Sequence, residues 1–299
     1  MTDALRHFHE AAKRDFGQRQ YQHTVLILDK KLHSIPWESL ECLRNRAISR
    51  LPSLECLRER LSAQRERQIS KADDLCGNGR YSIQMSNGAY ILNPSGDLSH
   101  TQAQFEEPLQ KLRGWEGIVG QVPHEGTMAD FLSSKDILLY FGHGCGSQYV
   151  RPHDLKRLDQ CAVTLLMGCS SGVMTEAGEF ESYGIPLSYM QAGSPALLAT
   201  LWDVTDKDID RFSMTALQDW GVLDGPKKEC FSQKTNVSPM KASRGKGKGR
   251  AVTADVKFDF SKKAVSLDQA VANARDSCVL KYLNGAAPVV YGIPVFISG

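Results

Sequence analysis

From residue 80 onward, short apolar runs alternate with polar, turn-rich stretches. Tyr90-Ile-Leu92 is closed by Asn93-Pro-Ser-Gly96, a turn signature, and Gly117-Ile-Val-Gly120 follows. The clearest runs are Ile137 to Phe141, Val163 to Met167, Ala196 to Trp202 and Val289 to Ile297. Runs of this length without polar alternation suit parallel strands covered on both faces. Helical periodicity fills the gaps, over Asp206 to Leu217 and Leu267 to Tyr282. The alternation predicts an α/β fold, a mostly parallel sheet with helices on both faces.

The first 70 residues are less regular. Thr24 to Leu28 is one apolar run, ended by Asp29. Two near-copies follow, Ser39 to Arg46 and Ser53 to Arg60, each carrying Glu and Arg three residues apart. They predict two short helices separated by Pro52. The predicted organisation is an N-terminal helical segment over 1–20, then one domain over 21–299 interrupted by an insert at about 224–263. That insert contains Gly-Lys-Gly-Lys-Gly-Arg250 and few apolar residues, too few to offset the entropy of ordering it. It also holds Ser238-Pro-Met-Lys241, a match to a proline-directed phosphorylation site that would reduce the local charge.

Charge sharpens this division. Residues 227–263 carry 11 Lys/Arg against 3 acids, a local +8 within a chain of net +2, so the remainder nets −6. An acidic folded body suits a cationic partner better than nucleic acid. A nucleic-acid reading would rest on the basic insert alone, without interleaved aromatics or a fold-level motif. The 299 residues, 41% apolar and 23% charged, have ordinary globular composition, which excludes disorder throughout. No stretch has the roughly 20 apolar residues that span a bilayer, and no secretory signal is expected from the polar N-terminus. The eight cysteines include no C-x-x-C pair, which argues against structural zinc and against a disulfide scaffold. No metal or cofactor is expected, and reduced thiols point to the cytoplasm or nucleus.

Two predicted strands end in small-residue loops that each offer a reactive group. Tyr140-Phe-Gly-His-Gly-Cys-Gly146 places His143 just past one strand, and Leu166-Met-Gly-Cys-Ser-Ser-Gly172 places Cys169 just past the next. Neighbouring parallel strands end on the same edge, where open α/β sheets bind ligands. An imidazole and a thiol there form a base and a nucleophile for acyl transfer. Each also has a plain structural reading, a buried apolar thiol and a hydrogen-bonding turn histidine. Gly168 to Gly172 also satisfies G-x-S-x-G around Ser170, but that fold needs a histidine after the serine. No histidine lies beyond His153, which removes the papain-like order as well. Thr175 stands where a phosphatase C-x5-R loop needs arginine. Cys145 is the rival thiol, but it shares a loop with His143 and is poorly placed to oppose it.

Phe-Gly-His-Gly144, Met-Gly-Cys-Ser-Ser-Gly172, Ala-Gly-Ser-Pro-Ala196 and Ala-Thr-Leu-Trp-Asp-Val-Thr-Asp-Lys-Asp-Ile-Asp210 together resemble the catalytic domain of separase. Leu28-Asp29 and Ile35-Pro-Trp-Glu-Ser-Leu40 extend the resemblance, which runs from about Tyr21 to Phe296 around the insert. It implies a caspase-like cysteine endopeptidase with His143 as general base and Cys169 as nucleophile. By the same analogy the N–H groups of Gly144 and Cys169 form the oxyanion hole. The expected substrate is the kleisin subunit of cohesin, cut after arginine within E-x-x-R to release sister chromatids at anaphase. Securin is the expected inhibitor, binding as a pseudosubstrate. Separases carry a long helical N-terminal region, an expected partner within the full-length protein, so the chain reads as a C-terminal catalytic fragment. The caspase signature around the cysteine is absent and the His–Cys spacing is short, which argues against aspartate specificity.

Recognition of arginine needs a carboxylate, and Asp203, Asp206, Asp208 and Asp210 crowd the segment after Trp202. Acids in a first helical turn behind Thr205 as N-cap are also ordinary helix chemistry. Asp210 is the first choice for the pocket floor and Asp203 the second, with Trp202 either a wall along the arginine stem or a core residue. Glu41-Cys-Leu-Arg44 and Glu55-Cys-Leu-Arg58 fit E-x-x-R themselves, but in helices neither presents an extended substrate. The alternative function is a non-catalytic caspase-like module that binds peptides or partners.

Overall fold

The computed structural model describes residues 23–70, 80–225 and 264–298. The N-terminal segment and the basic insert with Ser238 lie outside the described residues, apart from Asp224 and Gly225 at the insert's edge.

The strands are β1 (Thr24–Ile27), β2 (Ile48–Leu51), β3 (Tyr81–Gln84), β4 (Gly88–Leu92), β5 (Glu116–Val119), β6 (Ile137–Phe141), β7 (Val163–Leu166), β8 (Thr175–Ala177), β9 (Phe180–Tyr183), β10 (Ala196–Thr200), β11 (Pro288–Gly292) and β12 (Val295–Ser298). Eight of them form the main sheet in the order β1-β2-β11-β10-β7-β6-β4-β5. Every neighbouring pair in it is parallel except β10 with β11. Successive residues of β6 serve opposite faces: Leu139 and Phe141 join one core cluster, Leu138 and Tyr140 the other. Such alternation of buried apolar side chains requires cover on both sides.

That cover is helical. One face packs against α2 (Ser99–Gln110) through Phe105 and Leu109, α6 (Asp206–Trp220) through Ile209, Phe212 and Leu217, and α7 (Leu267–Ala274). The other packs against α1 (Leu54–Ser70), α3 (Thr127–Ser134), α4 (Pro152–Leu155) and α5 (Ile185–Gln191). Helix α6 stops where Gly221, at φ 95°, takes the left-handed conformation that a side chain would resist.

Three local expectations are corrected. The first near-copy, Ser39 to Arg46, is not a helix but a 3-10 turn over Trp37–Ser39 followed by further turns, leading into β2. Its Arg44 is drawn away, donating to Asp276 Oδ1 and the Lys281 carbonyl, each at 3.1 Å. Strand β2 carries no apolar run because Arg50 lies inside it, 1% exposed. That guanidinium is satisfied by both Glu38 oxygens, at 2.6 and 2.7 Å, and by the His33 and Ile35 carbonyls. The run Val289 to Ile297 is two strands, broken at Gly292, where an added Cβ would lie 2.1 Å from the Pro195 carbonyl. Finally, the helix from Leu267 ends at Ala274 and passes into a 3-10 turn over Arg275–Ser277, after which the Val279 and Leu280 N–H groups are donated to Asp208.

Candidate active site

Strands β6 and β7 are parallel neighbours, so the loops after them leave the same edge side by side. Phe141, immediately before the first loop, stacks on Phe105 of α2 at a centroid distance of 4.4 Å. Such a pair contributes about 0.5–1.5 kcal/mol beyond its buried area. Tyr140 donates its hydroxyl to the His143 carbonyl at 2.9 Å, fixing the backbone that carries the imidazole. Burial pushes the Tyr140 phenol well above its ordinary range, so it remains a donor.

The second loop is pinned as firmly. Ser170 and Gly172 donate their N–H groups to the Trp202 and Thr200 carbonyls at 3.2 and 2.7 Å. Thr200 Oγ1 donates to the Gly168 carbonyl at 2.7 Å. Ser170 sits at φ 53°, a left-handed conformation that costs a side-chain-bearing residue about 1–2 kcal/mol. Gly168 is where the loops meet. A Cβ there would lie 2.1 Å from the Gly144 carbonyl and 2.9 Å from the Gly144 N. Only glycine permits that approach.

The result is a crevice lined by His143, Gly168, Cys169, Asp206, Ile209 and Asp210 among others. Cys169, half-buried, donates its thiol to the Val204 carbonyl at 3.2 Å. His143 Nε2 lies 2.8 Å from Asp97 Oδ2. This hydrogen bond holds the Asp97 carboxyl below its ordinary value, so it is ionised at neutral pH. Gly144, at φ 60°, turns the chain beside the histidine.

The four aspartates after Trp202 separate into distinct roles. Asp210 is buried and lines the crevice, its Oδ2 receiving Thr101 Oγ1 at 3.0 Å and lying 3.2 Å from His100 Nδ1. Burial pushes its pKa up, against the opposing effect of those two partners. Asp206 lines the same crevice from the first turn of α6. Asp203 is exposed, accepts the Ser170 hydroxyl at 2.5 Å and is not among the lining residues. Asp208 faces away. Burial raises its pKa, but the N–H groups of Leu280 and Val279, the Asn284 amide and Arg211 outweigh this and bring it to about 2. Trp202 also stands apart from the crevice lining, its indole N–H donated to the Leu283 carbonyl at 3.2 Å.

Cys145 packs against the cluster on the sheet face opposite the one Cys169 joins. The internal E-x-x-R matches are also accounted for. Glu55 to Arg58 lies in α1 and Arg58 pairs with Glu55. Glu41 to Arg44 lies in turns rather than the expected helix, with Arg44 buried. Among the described residues, no group of His, Cys, Asp and Glu is placed to hold a metal ion, and no helix is long and apolar enough to cross a membrane.

Sequence reasoning missed Asp97, His100 and Thr101. Asp97 sits in the connection from β4 into α2, 46 residues from His143, and His100 and Thr101 lie in the first turn of α2, about 110 residues from Asp210. The only local signal was the Asn-Pro-Ser-Gly turn just before them.

A family model described as the separin protease domain matches residues 1–209. Separin of Emericella nidulans is 50% identical over 293 residues, covering 98% of this chain and 12% of that protein. Separin of Schizosaccharomyces pombe is 45% identical, covering 94% of this chain and 13% of its own length. The crystal structure of the Saccharomyces cerevisiae separase–securin complex matches with a TM-score of 0.69 at 32% identity, over 92% of this chain and 16% of that one. The chain thus spans a small part of the length of each relative.

Proposed function

The chain belongs to the separin protease-domain family, and on that premise we propose that it is a thiol endopeptidase that cuts after arginine. The single observation that carries the reading is the crevice that gathers His143, Cys169 and Asp210. A base, a nucleophile and a buried carboxylate in one cleft are the groups that this chemistry requires.

In the proposed reaction, the arginine side chain enters toward Asp210, with Asp206 adding negative charge along the same wall. Asp203, engaged by Ser170, is left as a rim residue, and Trp202 supports the 283 loop rather than the arginine stem. The Cys169 thiol leaves the Val204 carbonyl and gives its proton to His143. The thiolate then attacks the carbonyl carbon, and the developing oxyanion is met by the N–H groups of Gly144 and Cys169. His143 returns the proton to the leaving amine. Water next hydrolyses the thioester, its proton taken by the same imidazole.

The substrate we propose is the cohesin kleisin, cut within E-x-x-R to separate sister chromatids, which places the protein in cytoplasm and nucleus and on chromosomes at anaphase. Securin is the proposed inhibitor, a reading supported by the separase–securin complex among the structural relatives. The helical region of the full-length protein is the further proposed partner.

A peptide containing E-x-x-R, incubated with the chain, is expected to be cut on the carboxyl side of arginine. Cleavage should disappear in Cys169→Ser and in His143→Ala. Retained cleavage in both variants, by protein of native circular dichroism, would sink the dyad assignment.

A further inference from the structure

We propose that Asp97 is a positioning residue for His143, holding the imidazole so that Nδ1, and not Nε2, receives the thiol proton. This rests on the dyad reading and adds a third member to it.

An ionised carboxylate can only accept, so the nitrogen 2.8 Å from Asp97 Oδ2 must carry a proton. A neutral imidazole protonated at Nε2 has its lone pair on Nδ1. Deprotonation of Cys169 then breaks its S–H bond, leaves the electron pair on Sγ and puts the proton on Nδ1. The imidazolium so formed keeps its Nε2–H on Asp97.

The segment that presents Asp97 is built for a fixed position. Asn93, 1% exposed and at φ 51°, accepts the Leu98 N–H through Oδ1 at 2.9 Å. It donates through Nδ2 to Gln102 Oε1 at 2.8 Å. Its own N–H is donated to the Phe141 carbonyl at 2.8 Å, two residues before His143. Carboxylate and imidazole therefore hang from two backbone segments bonded to each other. Both side chains of the pair are more than half exposed, at 58% and 56%. An exposed contact of that kind contributes little to folding.

Three elements bring titratable groups to the crevice that holds this imidazole. Asp97 comes from the β4–α2 connection, Cys169 from the loop after β7, and Asp206 and Asp210 from α6, the last partnered by His100 of α2. Asp97 is the carboxylate in hydrogen-bonding contact with it.

The test is the pH profile of peptide cleavage by Asp97→Asn and Asp97→Glu. Asp97→Asn is expected to lower kcat roughly 10-fold, less than the 10²–10⁴ a general base contributes, because the contact is half exposed. KM should be unchanged. The acid limb should move to lower pH, since His143 must be neutral to take the thiol proton and the anion favouring its protonation is gone, and Asp97→Glu should restore part of both. Added salt should narrow the gap between wild type and Asp97→Asn, as screening weakens an exposed pair. A well-folded Asp97→Asn with unchanged kcat and pH profile would overturn the proposal while leaving the dyad intact. Activity surviving in His143→Ala would overturn both.

Discussion

Asp208 and Asp210 stand two residues apart in α6, both buried, and their surroundings drive them in opposite directions. Asp208 meets two backbone N–H groups, the Asn284 amide and Arg211, which together bring it to about 2. Among the described residues, Asp210 meets only Thr101 and His100, both on one oxygen, and burial leaves its pKa raised. One carboxylate is saturated with donors and ties the 279–284 loop to the helix. The other is left short of donors at the wall of a crevice. A buried carboxylate missing partners is costly to the fold and suited to a cationic ligand that supplies them. Arg50 repeats the saturated pattern on the far side of the sheet, where Glu38 and two carbonyls complete its hydrogen bonding.

This contrast can be broken from either side. The largest effect is expected from Asp210→Asn, which should cut kcat/KM for an arginine peptide by about 10³-fold, within the 2–5 kcal/mol range for truncating a buried charged partner. The same variant should be no less stable at pH 7. A carboxyl whose folded pKa is raised favours folding while protonated and loses that contribution as pH rises through the folded value, so the amide removes a cost. By the same sign, arginine binding in the wild type should weaken on acidification while an ordinary carboxylate is still charged.

Asp208→Ala should invert the pattern. Thermal unfolding is expected to show a loss of about 3 kcal/mol, since buried donors left without an acceptor cost about 1–3 kcal/mol each. Preference for arginine should survive in the folded fraction. Because its folded value is lowered, the stability Asp208 supplies is present above the ordinary carboxylate range and lost as pH falls toward 2. Loss of arginine preference in Asp208→Ala, with Asp210→Asn unaffected, would reverse the roles assigned here.

What was legible in the sequence follows from how local each signal is. Strand β6 is an unbroken apolar run and β7 and β10 each carry a single threonine, and the glycine-bracketed loops after the first two announced His143 and Cys169 without tertiary information. Strand β2 was hidden because its Arg50 is neutralised by Glu38, 12 residues earlier, a pairing no periodicity reveals. The near-copies Ser39 to Arg46 and Ser53 to Arg60 share a local pattern yet differ in structure, because Arg44 is captured by Asp276 from 232 residues away. Asp97, His100 and Thr101 were invisible for the same reason. Their partners lie across the sheet edge, and residue type alone does not say which carboxylate faces which imidazole.

The most direct test is covalent labelling of Cys169 by an acyloxymethyl ketone ending in arginine, with adducts mapped by mass spectrometry. The account predicts an adduct on Cys169 that is absent with an aspartate-ended probe, abolished by His143→Ala and strongly slowed by Asp210→Asn. An adduct on Cys145, or equal labelling by the two probes, would contradict it.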